Sequence, residues 1–459
     1  MAINAARIQI RNHKDIRQGQ YVLYWMQQSQ RAEHNPALDL AIVQANRLKL
    51  PVLAVFGLTD NYPEANWRHY RFMLEGLQDA QQALQRKGIR LVVRIGSPPD
   101  VALDLGRHAA LIVCDIGYTR HQRAWRRSLA AAAACRVLQV EGDVVVPVAV
   151  VSTKAEYAAR TIRPRINKHL DDYLVLTRAI RPRISSLDLD IDGVVLDDID
   201  GLLSGLSIDG KVLPVTRFFK GGTGEAKKRL RRFIRRLDRY DLNRNQPQTD
   251  DTSQMSPYLH FGQISPVYLA LQVRNASQGQ KKDREGYLEE LIVRRELAVN
   301  FVHYTPDYDR YTCLPEWARK SLGEHAGDRR EHHYTRRQLE AADTHDPYWN
   351  AAMREMKYTG YMHNYMRMYW GKKILEWSKS PEAAFDTTLA INNRYFLDGR
   401  DPNSYAGVAW VFGKHDRAWF ERPIFGKIRY MAASGLERKC DIKAYVSKVD
   451  RWVDQIGES

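Results

Sequence analysis

The segment 397–416 contains the residues best suited to hold a ligand. Turn-forming residues open it at Asp398-Gly399 and at Asp401-Pro402-Asn403. Trp410 follows, and the segment ends in a polar cluster that comprises Lys414, His415 and Asp416. Loops that bring carboxylates, amides, an aromatic ring and basic groups together are typical of binding sites. This segment is therefore the first candidate for a functional site.

Hydroxyl side chains at Thr252, Ser253 and Ser256 precede Pro257, which can begin a helix. Such hydroxyls can donate to a phosphate or cap the helix, and their local chemistry favours the cap. The glycine-rich run 221–224 precedes a basic helical segment and leaves the same two choices open. Its amides could receive a phosphate at a helix N-terminus, but a simple turn is the favoured interpretation.

Two helical segments carry further groups that could do chemistry. In the first, Glu290 and Arg294 have i,i+4 spacing, which predicts an ion pair on one helix face. The second, around Trp370 and Trp377, is dense in aromatic residues and methionine, a pattern most often found in a core. These two tryptophans are two helical turns apart on nearly the same face, and Trp349 precedes them. The sequence thus offers a row of three indoles.

Strand-like and helix-like segments alternate through the first third of the chain. This alternation predicts a doubly wound, Rossmann-like parallel sheet with helices on both faces. Such sheets bind ligands at the carboxyl ends of their strands, where Gly57 and Gly96 stand. The chain has no G-x-G-x-x-G run, so this pattern does not identify the ligand. The predicted strands are 21–25, 51–56, 91–95, 110–114 and 136–140, and the predicted helices are 36–49, 67–87 and 121–134.

The remainder divides into a connection and a helical region. Residues 186–210 are rich in Asp and Gly, which predicts an acidic connection between domains. Helical periodicity dominates from Thr216 onward, and a helix is predicted over 226–240 with an apolar stripe at Leu230 and Leu237. Lysines and arginines cover the other faces of that helix. A solvated surface is the favoured interpretation for them over contact with nucleic acid.

Composition limits the class of protein. A chain of 459 residues is too long for one core, so two domains are expected. The net charge of +16 favours a polyanionic partner, and nucleic acid is preferred to a membrane because no amphipathic anchor or lipidation motif accompanies the charge. The four cysteines are scattered, which argues against disulfides and against a metal site. We expect a soluble protein that is cytoplasmic, or with DNA in a nucleoid or nucleus, and not secreted or membrane-bound.

Several motifs in the C-terminal half resemble those of one enzyme family. Segment 392–430, which contains Leu397-Asp-Gly-Arg-Asp401, resembles the C-terminal signature of class II cyclobutane pyrimidine dimer photolyases. Segment 252–262 follows a pattern of the photolyase/cryptochrome superfamily, Thr-Ser-x-Leu-Ser-Pro-Tyr-Leu-x-Phe-Gly, with Met255 in place of the first leucine. The N-terminal half adds the strand–helix alternation and the run 24–31. The resemblance implies an α/β antenna-type domain over 1–150, a linker over 151–215 and an all-α domain that binds FAD and DNA over 216–459.

By this resemblance, one set of residues contacts reduced FAD. Arg367 forms a bidentate pair with Asp398 beside the flavin ring. Class I enzymes place an asparagine next to flavin N5 where this chain has Ser404, so the resemblance assigns that place to Asn392, with Asn393 as the weaker candidate. The implied cofactor-binding residues are Tyr240, Thr252, Ser253, Met255, Ser256, Tyr287, Asn364, Arg367 and Asp398.

A second set of residues contacts the substrate or carries electrons. Glu290 corresponds to the acid that hydrogen-bonds the damaged pyrimidines, Met368 packs under them, and Trp410 stacks on the extruded dimer. A row of tryptophans passes electrons to the flavin, from the one nearest solvent to the one nearest the cofactor; in that order it comprises Trp377, Trp349 and Trp370. The implied phosphate contacts are Lys414, Arg417, Lys427 and Arg429.

The implied reaction is light-driven repair of DNA by a carbon–carbon lyase. Reduced FAD, excited by blue or near-ultraviolet light, donates an electron to a cyclobutane pyrimidine dimer; the ring splits and the electron returns. The family further implies action as a monomer and an 8-hydroxy-5-deazaflavin antenna in the N-terminal crevice. Two alternatives stay open: a cryptochrome-like flavin photoreceptor without repair, and a non-catalytic nucleic-acid-binding protein. The presence of Glu290, Met368 and Trp410 favours repair.

Overall fold

The N-terminal half is built on one six-stranded sheet. The structure, a computed structural model, describes residues 3–457. The strands are β1 (Ile8–Ile10), β2 (Tyr21–Trp25), β3 (Val52–Leu58), β4 (Arg90–Ile95), β5 (Ala109–Asp115) and β6 (Arg136–Val140). Their order across the sheet is β1-β6-β5-β2-β3-β4, and every pair is parallel except β1 with β6.

Helices cover both faces of this sheet. They are α1 (Pro36–Leu48), α2 (Trp67–Gln85), α3 (Pro98–Gly106) and α4 (Arg120–Ala132). Along β2, Val22 and Tyr24 belong to the core shared with α1 and α2, whereas Tyr21 and Leu23 belong to the core shared with α3 and α4. Every residue of the central strands β2 and β5 is buried, as expected for parallel strands covered on both sides. The predicted doubly wound fold is confirmed.

A long segment joins the sheet to the helical half and carries α5 (Val148–Val151), α6 (Ala159–Tyr173) and α7 (Ile199–Ser204). Its acidic part runs back along the sheet. Ser186 N donates to Gly88 O at 2.9 Å, and Val194 N donates to Val93 O at 2.7 Å beside β4. The segment therefore covers the edge strand of the sheet, which would otherwise present unpaired backbone groups.

The C-terminal half is helical. Its helices are α8 (Thr223–Ile234), α9 (Tyr240–Asn243), α10 (Ser256–His260), α11 (Pro266–Arg274), α12 (Lys281–Leu288), α13 (Arg295–Tyr304), α14 (Glu316–Glu324), α15 (Arg336–Ala341), α16 (Pro347–Thr359), α17 (Asn364–Trp377), α18 (Pro381–Tyr395), α19 (Pro402–Val411), α20 (Ala433–Lys439) and α21 (Ile442–Gly457). A π-helical turn, Glu289–Arg294, joins α12 to α13. Helix α17 packs against α16, α18 and α19, so it lies at the centre of this half.

The predicted elements differ from the structure in a few places. Strand β1 and helix α3 were not predicted, because β1 is a short, mostly exposed edge strand and α3 begins at a pair of prolines. The basic helix predicted over 226–240 ends at Ile234 and continues as a short 3-10 turn, Leu237–Arg239. None of the helices within residues 3–457 has the length and apolar character that crossing a bilayer would require.

Candidate active site

A cavity of about 730 Å³ lies in the helical half. Ligand pockets commonly have volumes of about 300–1,000 Å³. Its walls come from α13, α17, α18 and α19, the π-helical turn and the loop before α10. Residues from both predicted sets line it together: Tyr240, Thr252, Ser253, Met255, Ser256, Tyr287, Glu290, Asn364, Arg367, Met368, Trp370, Asn392, Asp398, Trp410 and Arg429. Widely separated motifs thus meet in one cavity.

The hydroxyl loop before α10 faces this cavity. Ser253 Oγ accepts a hydrogen bond from Tyr287 OH at 3.0 Å, and Thr252 Oγ1 lies 3.5 Å from Tyr361 OH. Within the described chain, no side chain caps the N-terminus of α10, so the capping interpretation favoured from the sequence is wrong. Gln254 has a left-handed φ of 52°, a conformation that for a residue other than glycine is concentrated at functional sites. The hydroxyls therefore face the cavity and do not serve as a helix cap.

An arginine-rich pocket lies on the other side of the same loop. This second cavity, of about 360 Å³, is lined by Arg229, Arg232 and Arg236 as well as by Thr252 and Ser253. Arg229 Nη2 donates to Phe218 O at 2.6 Å, and its Nη1 donates to the Gln254 side chain. The sequence alone favours a solvated face for these arginines. Their i, i+3 and i+7 spacing, which would place them on one side of the predicted helix, was the signal that could have grouped them.

The glycine-rich run 221–224 has a structural role. Gly222 N donates to Gln263 Oε1 at 2.7 Å, and Thr223 N donates to Asp79 Oδ2 at 2.8 Å. Gly221 N donates to Glu75 Oε2 at 2.7 Å. Because carboxylate and amide side chains occupy these backbone donors, the run is the helix-entry turn that its sequence favoured, and a phosphate is not needed to satisfy it.

Arg367 and Asp398 form an ion pair in the cavity wall. Arg367 Nη2 donates to Asp398 Oδ1 at 3.1 Å and to Oδ2 at 3.2 Å. The expected bidentate pair uses two nitrogens, whereas here one nitrogen serves both oxygens. The Arg367 Cζ also lies 3.8 Å from the Phe396 ring centroid, a cation–π contact that holds the guanidinium from its other side. The pair still places a cation where an anionic ring would be stabilised.

The two asparagines near the end of α18 have different surroundings. Asn392 lines the cavity, and its Nδ2 donates to Ser404 Oγ at 2.6 Å and to Asn393 Oδ1 at 3.0 Å. Asn393 is fully buried; its Nδ2 donates to Glu64 Oε2 at 2.6 Å and its Oδ1 accepts from Arg400 N at 3.1 Å. Asn393 is thus engaged in holding the loop, and Asn392 is the amide at the cavity wall.

Glu290 lies on the π-helical turn and pairs with a distant arginine. Arg244 Nη2 donates to Glu290 Oε1 at 2.8 Å. The predicted pair between Glu290 and Arg294 is wrong, because Arg294 Nε instead donates to Glu289 Oε1 at 3.2 Å. A π-helical turn brings residues i and i+5 together instead of i and i+4, and this shift exchanges the partner. Turns of this kind occur frequently at functional sites.

The cavity has the donors that a flavin dinucleotide requires. The hydroxyls of the loop before α10, with the separate arginine pocket behind that loop, suit a diphosphate, and the Arg367–Asp398 pair with Asn392 suits a flavin ring. Trp370 is 2% exposed, and its Nε1 has no hydrogen-bond partner among residues 3–457. A buried N–H without a partner at a cavity wall is consistent with a binding site for a ligand. The residues therefore fit FAD.

Comparison with known proteins covers almost the whole chain. The sequence model of the family described as DNA photolyase matches residues 22–183. A deoxyribodipyrimidine photo-lyase of Methanothermobacter thermautotrophicus is 49% identical over 456 residues, which are 99% of this chain and 100% of that protein. A deoxyribodipyrimidine photo-lyase of Arabidopsis thaliana is 40% identical over 93% of this chain and 88% of its own length. The chain belongs to the DNA photolyase family.

A solved structure shares the fold. The bacterial class III photolyase from Agrobacterium tumefaciens superposes with a TM-score of 0.74 at 18% identity, over 94% of this chain and 86% of that one. At this identity the likeness concerns the fold alone. It agrees with the arrangement of an α/β half followed by a helical half.

The tryptophans of this family member form a connected row behind the cavity. Trp370 lines the cavity, and its carbonyl accepts from Trp349 Nε1 at 3.0 Å. The rings of Trp349 and Trp377 are 5.5 Å apart between centroids, in an edge-to-face arrangement. Trp377, which the resemblance places nearest solvent, is buried, with 2% of its surface exposed, as is Trp370. The partly exposed Tyr334, whose ring centroid is 5.2 Å from that of Trp377, lies between this indole and the surface.

Trp410 lies at the rim of the cavity between two cations. Lys372 Nζ is 5.1 Å and Arg429 Cζ is 5.4 Å from the centroid of its ring. Arg429 Nε also donates to Asp416 Oδ2 at 2.8 Å, which orients its guanidinium. Lys372 was not among the predicted residues, because no sequence pattern distinguishes it from the adjacent Lys373 on the same aromatic helix.

The predicted phosphate contacts divide into outward and inward residues. Arg417 and Lys427 are exposed, and Phe420 beside them is 90% exposed. Lys414 turns inward: its Nζ donates to Cys313 O at 3.2 Å and lies 4.7 Å from the Phe301 ring centroid. Burial lowers the pKa of Lys414. This placement argues against a phosphate contact by Lys414.

The crevice predicted at the carboxyl ends of the strands is present but small. A cavity of about 80 Å³ is lined by Trp25, Gly57, Tyr62, His69 and Arg400, among others. Burial and the neighbouring Arg400 lower the pKa of His69 well below its usual value. This volume is below the range of typical ligand pockets, and a deazaflavin antenna in this crevice stays a prediction.

Proposed function

We propose that this chain is a light-driven DNA-repair enzyme that splits cyclobutane pyrimidine dimers. The observation that carries the proposal is that one cavity brings Glu290 and Trp410 together with the Arg367–Asp398 pair. The relatives that match over most of the chain are deoxyribodipyrimidine photo-lyases. A fold-level likeness alone would not separate repair from light sensing.

Reduced FAD, when bound, supplies the electron that opens the cyclobutane ring under blue or near-ultraviolet light. The chain's own residues bind and orient it. Arg232 and Arg236, behind the loop of Thr252 and Ser253, neutralise its diphosphate. Arg367 places a positive charge beside the ring. These groups hold the negative charges of the diphosphate and of the ring without leaving them unpaired in an apolar core.

On the substrate side, Trp410 and Met368 receive the extruded dimer. Stacking on an aromatic side chain contributes about 1–3 kcal/mol per base, and a damaged pair costs less to extrude than an intact one. Glu290, oriented by Arg244, offers an oxygen to the polar edges of the pyrimidines. Because it is held in place before the reaction, it needs no rearrangement when negative charge develops on the dimer.

The tryptophan row supplies electrons that return the flavin to its reduced form. Trp349 lies between the other two tryptophans: its Nε1 donates to the backbone carbonyl of Trp370, and its ring contacts the ring of Trp377. Electrons would therefore enter through Trp377 and leave through Trp370. Burial of the whole row keeps water away from the oxidised indoles.

DNA binds across the rim of the cavity. Exposed Arg417 and Lys427, with Arg429 at the rim, are the proposed phosphate contacts, and the net charge of +16 attracts the polyanion. We assign the chain to class II, on the ground that Asn392 faces the cavity and hydrogen-bonds Ser404, which stands where class I has its asparagine. We also propose that it acts as a monomer.

Flavin binding provides a direct test of the enzyme proposal. Purified protein reconstituted with FAD should show flavin absorption bands that remain after gel filtration. Protein that folds but retains no flavin would contradict the proposal and favour a non-catalytic nucleic-acid-binding protein. Flavin retention together with tight but unproductive dimer binding would instead favour a photoreceptor.

A further inference from the structure

Lys372 is a charged residue in a place where charges are rarely found. It is 1% exposed, in the middle of α17, and its Nζ donates a hydrogen bond to the carbonyl of Val411. Among residues 3–457, no carboxylate lies within salt-bridge distance of it. Lysine is almost never fully buried without a paired acid. Such a residue calls for a functional explanation.

Its surroundings link it to the substrate side of the cavity. Val411 is the last residue of α19, so the ammonium caps the negative end of this helix. The preceding residue is Trp410, whose ring centroid is 5.1 Å from Nζ. The two helices are in tight contact here: a Cβ on Gly371 would lie 2.6 Å from Val411 Cγ2. Lys372 therefore joins the helix of Arg367 to the indole at the rim.

We propose that Lys372 is a positioning residue that fixes the Trp410 indole for stacking on the dimer and makes dimer binding depend on pH. The inference rests on the proposed function. A protonated ammonium strengthens both the hydrogen bond to the carbonyl and the contact with the aromatic ring. A neutral amine would keep only a weaker hydrogen bond and would leave the ring freer to move.

Burial and the neighbouring charged groups bring the pKa of Lys372 close to neutral pH. The pKa of Lys372 is lowered to about 7, mainly by burial; Asp416 opposes this shift and Arg429 adds to it. Asp416 is paired with Arg429, which holds the pKa of this carboxyl below its usual value, so the carboxyl stays charged across neutral pH. Lys372 is thus mostly protonated below about pH 7 and loses its proton above it. Dimer affinity should fall as the pH rises through this range.

The test measures dark binding of a dimer-containing duplex and of an undamaged duplex by protein reconstituted with FAD. For the unmodified protein, preference for the dimer should fall on the order of tenfold between about pH 6 and about pH 9, as expected when binding is linked to one proton. Calorimetry in buffers of different ionisation enthalpy should show proton uptake on binding at about pH 8. Lys372→Met should bind the dimer weakly at every pH, without proton uptake.

Two further variants distinguish the effect of the charge at position 372 from a general effect of removing a positive charge. Lys372→Arg stays charged throughout, so it should retain dimer preference at high pH with a flattened profile. Lys379→Met removes one exposed positive charge beyond the same helix and should leave the profile unchanged. An unaltered pH profile or unaltered proton uptake in Lys372→Met would overturn the proposal. Should the Arg variant not fold, the proton uptake of the Met variant decides. Absence of dimer preference at every pH in the unmodified protein would remove the proposed function, and this inference with it.

Discussion

Arg244 and Glu290 form an ion pair across 2.8 Å, and the acidic partner stands on a π-helical turn at the cavity wall. Both side chains are partly exposed, so the pair contributes little to folding stability. Its value is in orientation. The guanidinium also lies 5.7 Å from the Tyr240 ring centroid, which fixes the arginine from its other side.

Arg244→Met is expected to weaken dimer binding by about fivefold, since loss of a charge-assisted hydrogen bond at a partly exposed site costs about 1 kcal/mol. Titration of a dimer-containing duplex in darkness measures the effect. The same substitution in a Glu290→Gln background should cost much less, because the acid it orients is then absent. Equal losses in the two backgrounds would show that Arg244 acts on DNA directly and not through Glu290.

Substitutions of the neighbouring Asn392 and Asn393 should have different effects, one on flavin photoreduction and the other on folding stability. Asn392→Ala is expected to slow photoreduction of the bound flavin and to lower the melting temperature less than Asn393→Ala does, since Asn392 faces the cavity. Asn393→Ala should lower the free energy of unfolding by about 1–3 kcal/mol, because Glu64 and the Arg400 amide lose a buried partner. Thermal unfolding and photoreduction rates of both variants check this. A reversed pattern would move the flavin-facing role to Asn393.

Much of this could be predicted from the sequence, because it depends on local patterns. Strands β2 and β6 have the predicted bounds, since a short apolar run between polar residues is a local signal. The motif residues that meet in the cavity could be identified from the sequence because their types and order match the patterns of the photolyase family. The pairing of Arg244 with Glu290 could not be predicted from the sequence. It joins positions far apart along the chain, and it depends on a π-helical turn that forms through packing with other elements.

Two other features required the structure for the same reason. The burial of Trp377 depends on Tyr334 and His345, which a helical pattern in α17 cannot reveal. The arginine pocket depends on how α8 lies against the loop of Thr252. In each case the side chain and its helix face can be predicted from the sequence, but its contact partner lies on an element that is distant along the chain.

The tryptophan row should be essential for photoreduction and dispensable for repair itself. Trp349→Phe is expected to lower the rate of flavin photoreduction at least about tenfold, equivalent to about 1.4 kcal/mol, because it interrupts the middle of the row. Chemically reduced Trp349→Phe protein should repair dimers as well as the parent. Trp317→Phe, in the same core but outside the row, is the matched control. Normal photoreduction by Trp349→Phe would exclude this path.

The arginine pocket should bind the diphosphate of FAD. The double variant Arg232→Met/Arg236→Met is expected to lower FAD affinity by roughly tenfold, as for loss of charge-assisted hydrogen bonds. Riboflavin, which lacks the phosphates, should bind the double variant and the parent equally. Arg235→Met removes an exposed charge from the same helix end and should have little effect. A parallel loss of riboflavin binding would indicate a general structural defect instead.

Repair of a DNA duplex with a single thymine dimer tests the central proposal most directly. Photoreduced protein would be mixed with the duplex under blue light and in darkness, and the remaining dimer quantified. We expect the dimer to disappear only in the light, and to persist in the light with Glu290→Ala/Trp410→Ala protein that still retains flavin. An intact dimer after illumination of flavin-loaded, dimer-bound parent protein would contradict the assignment as a repair enzyme.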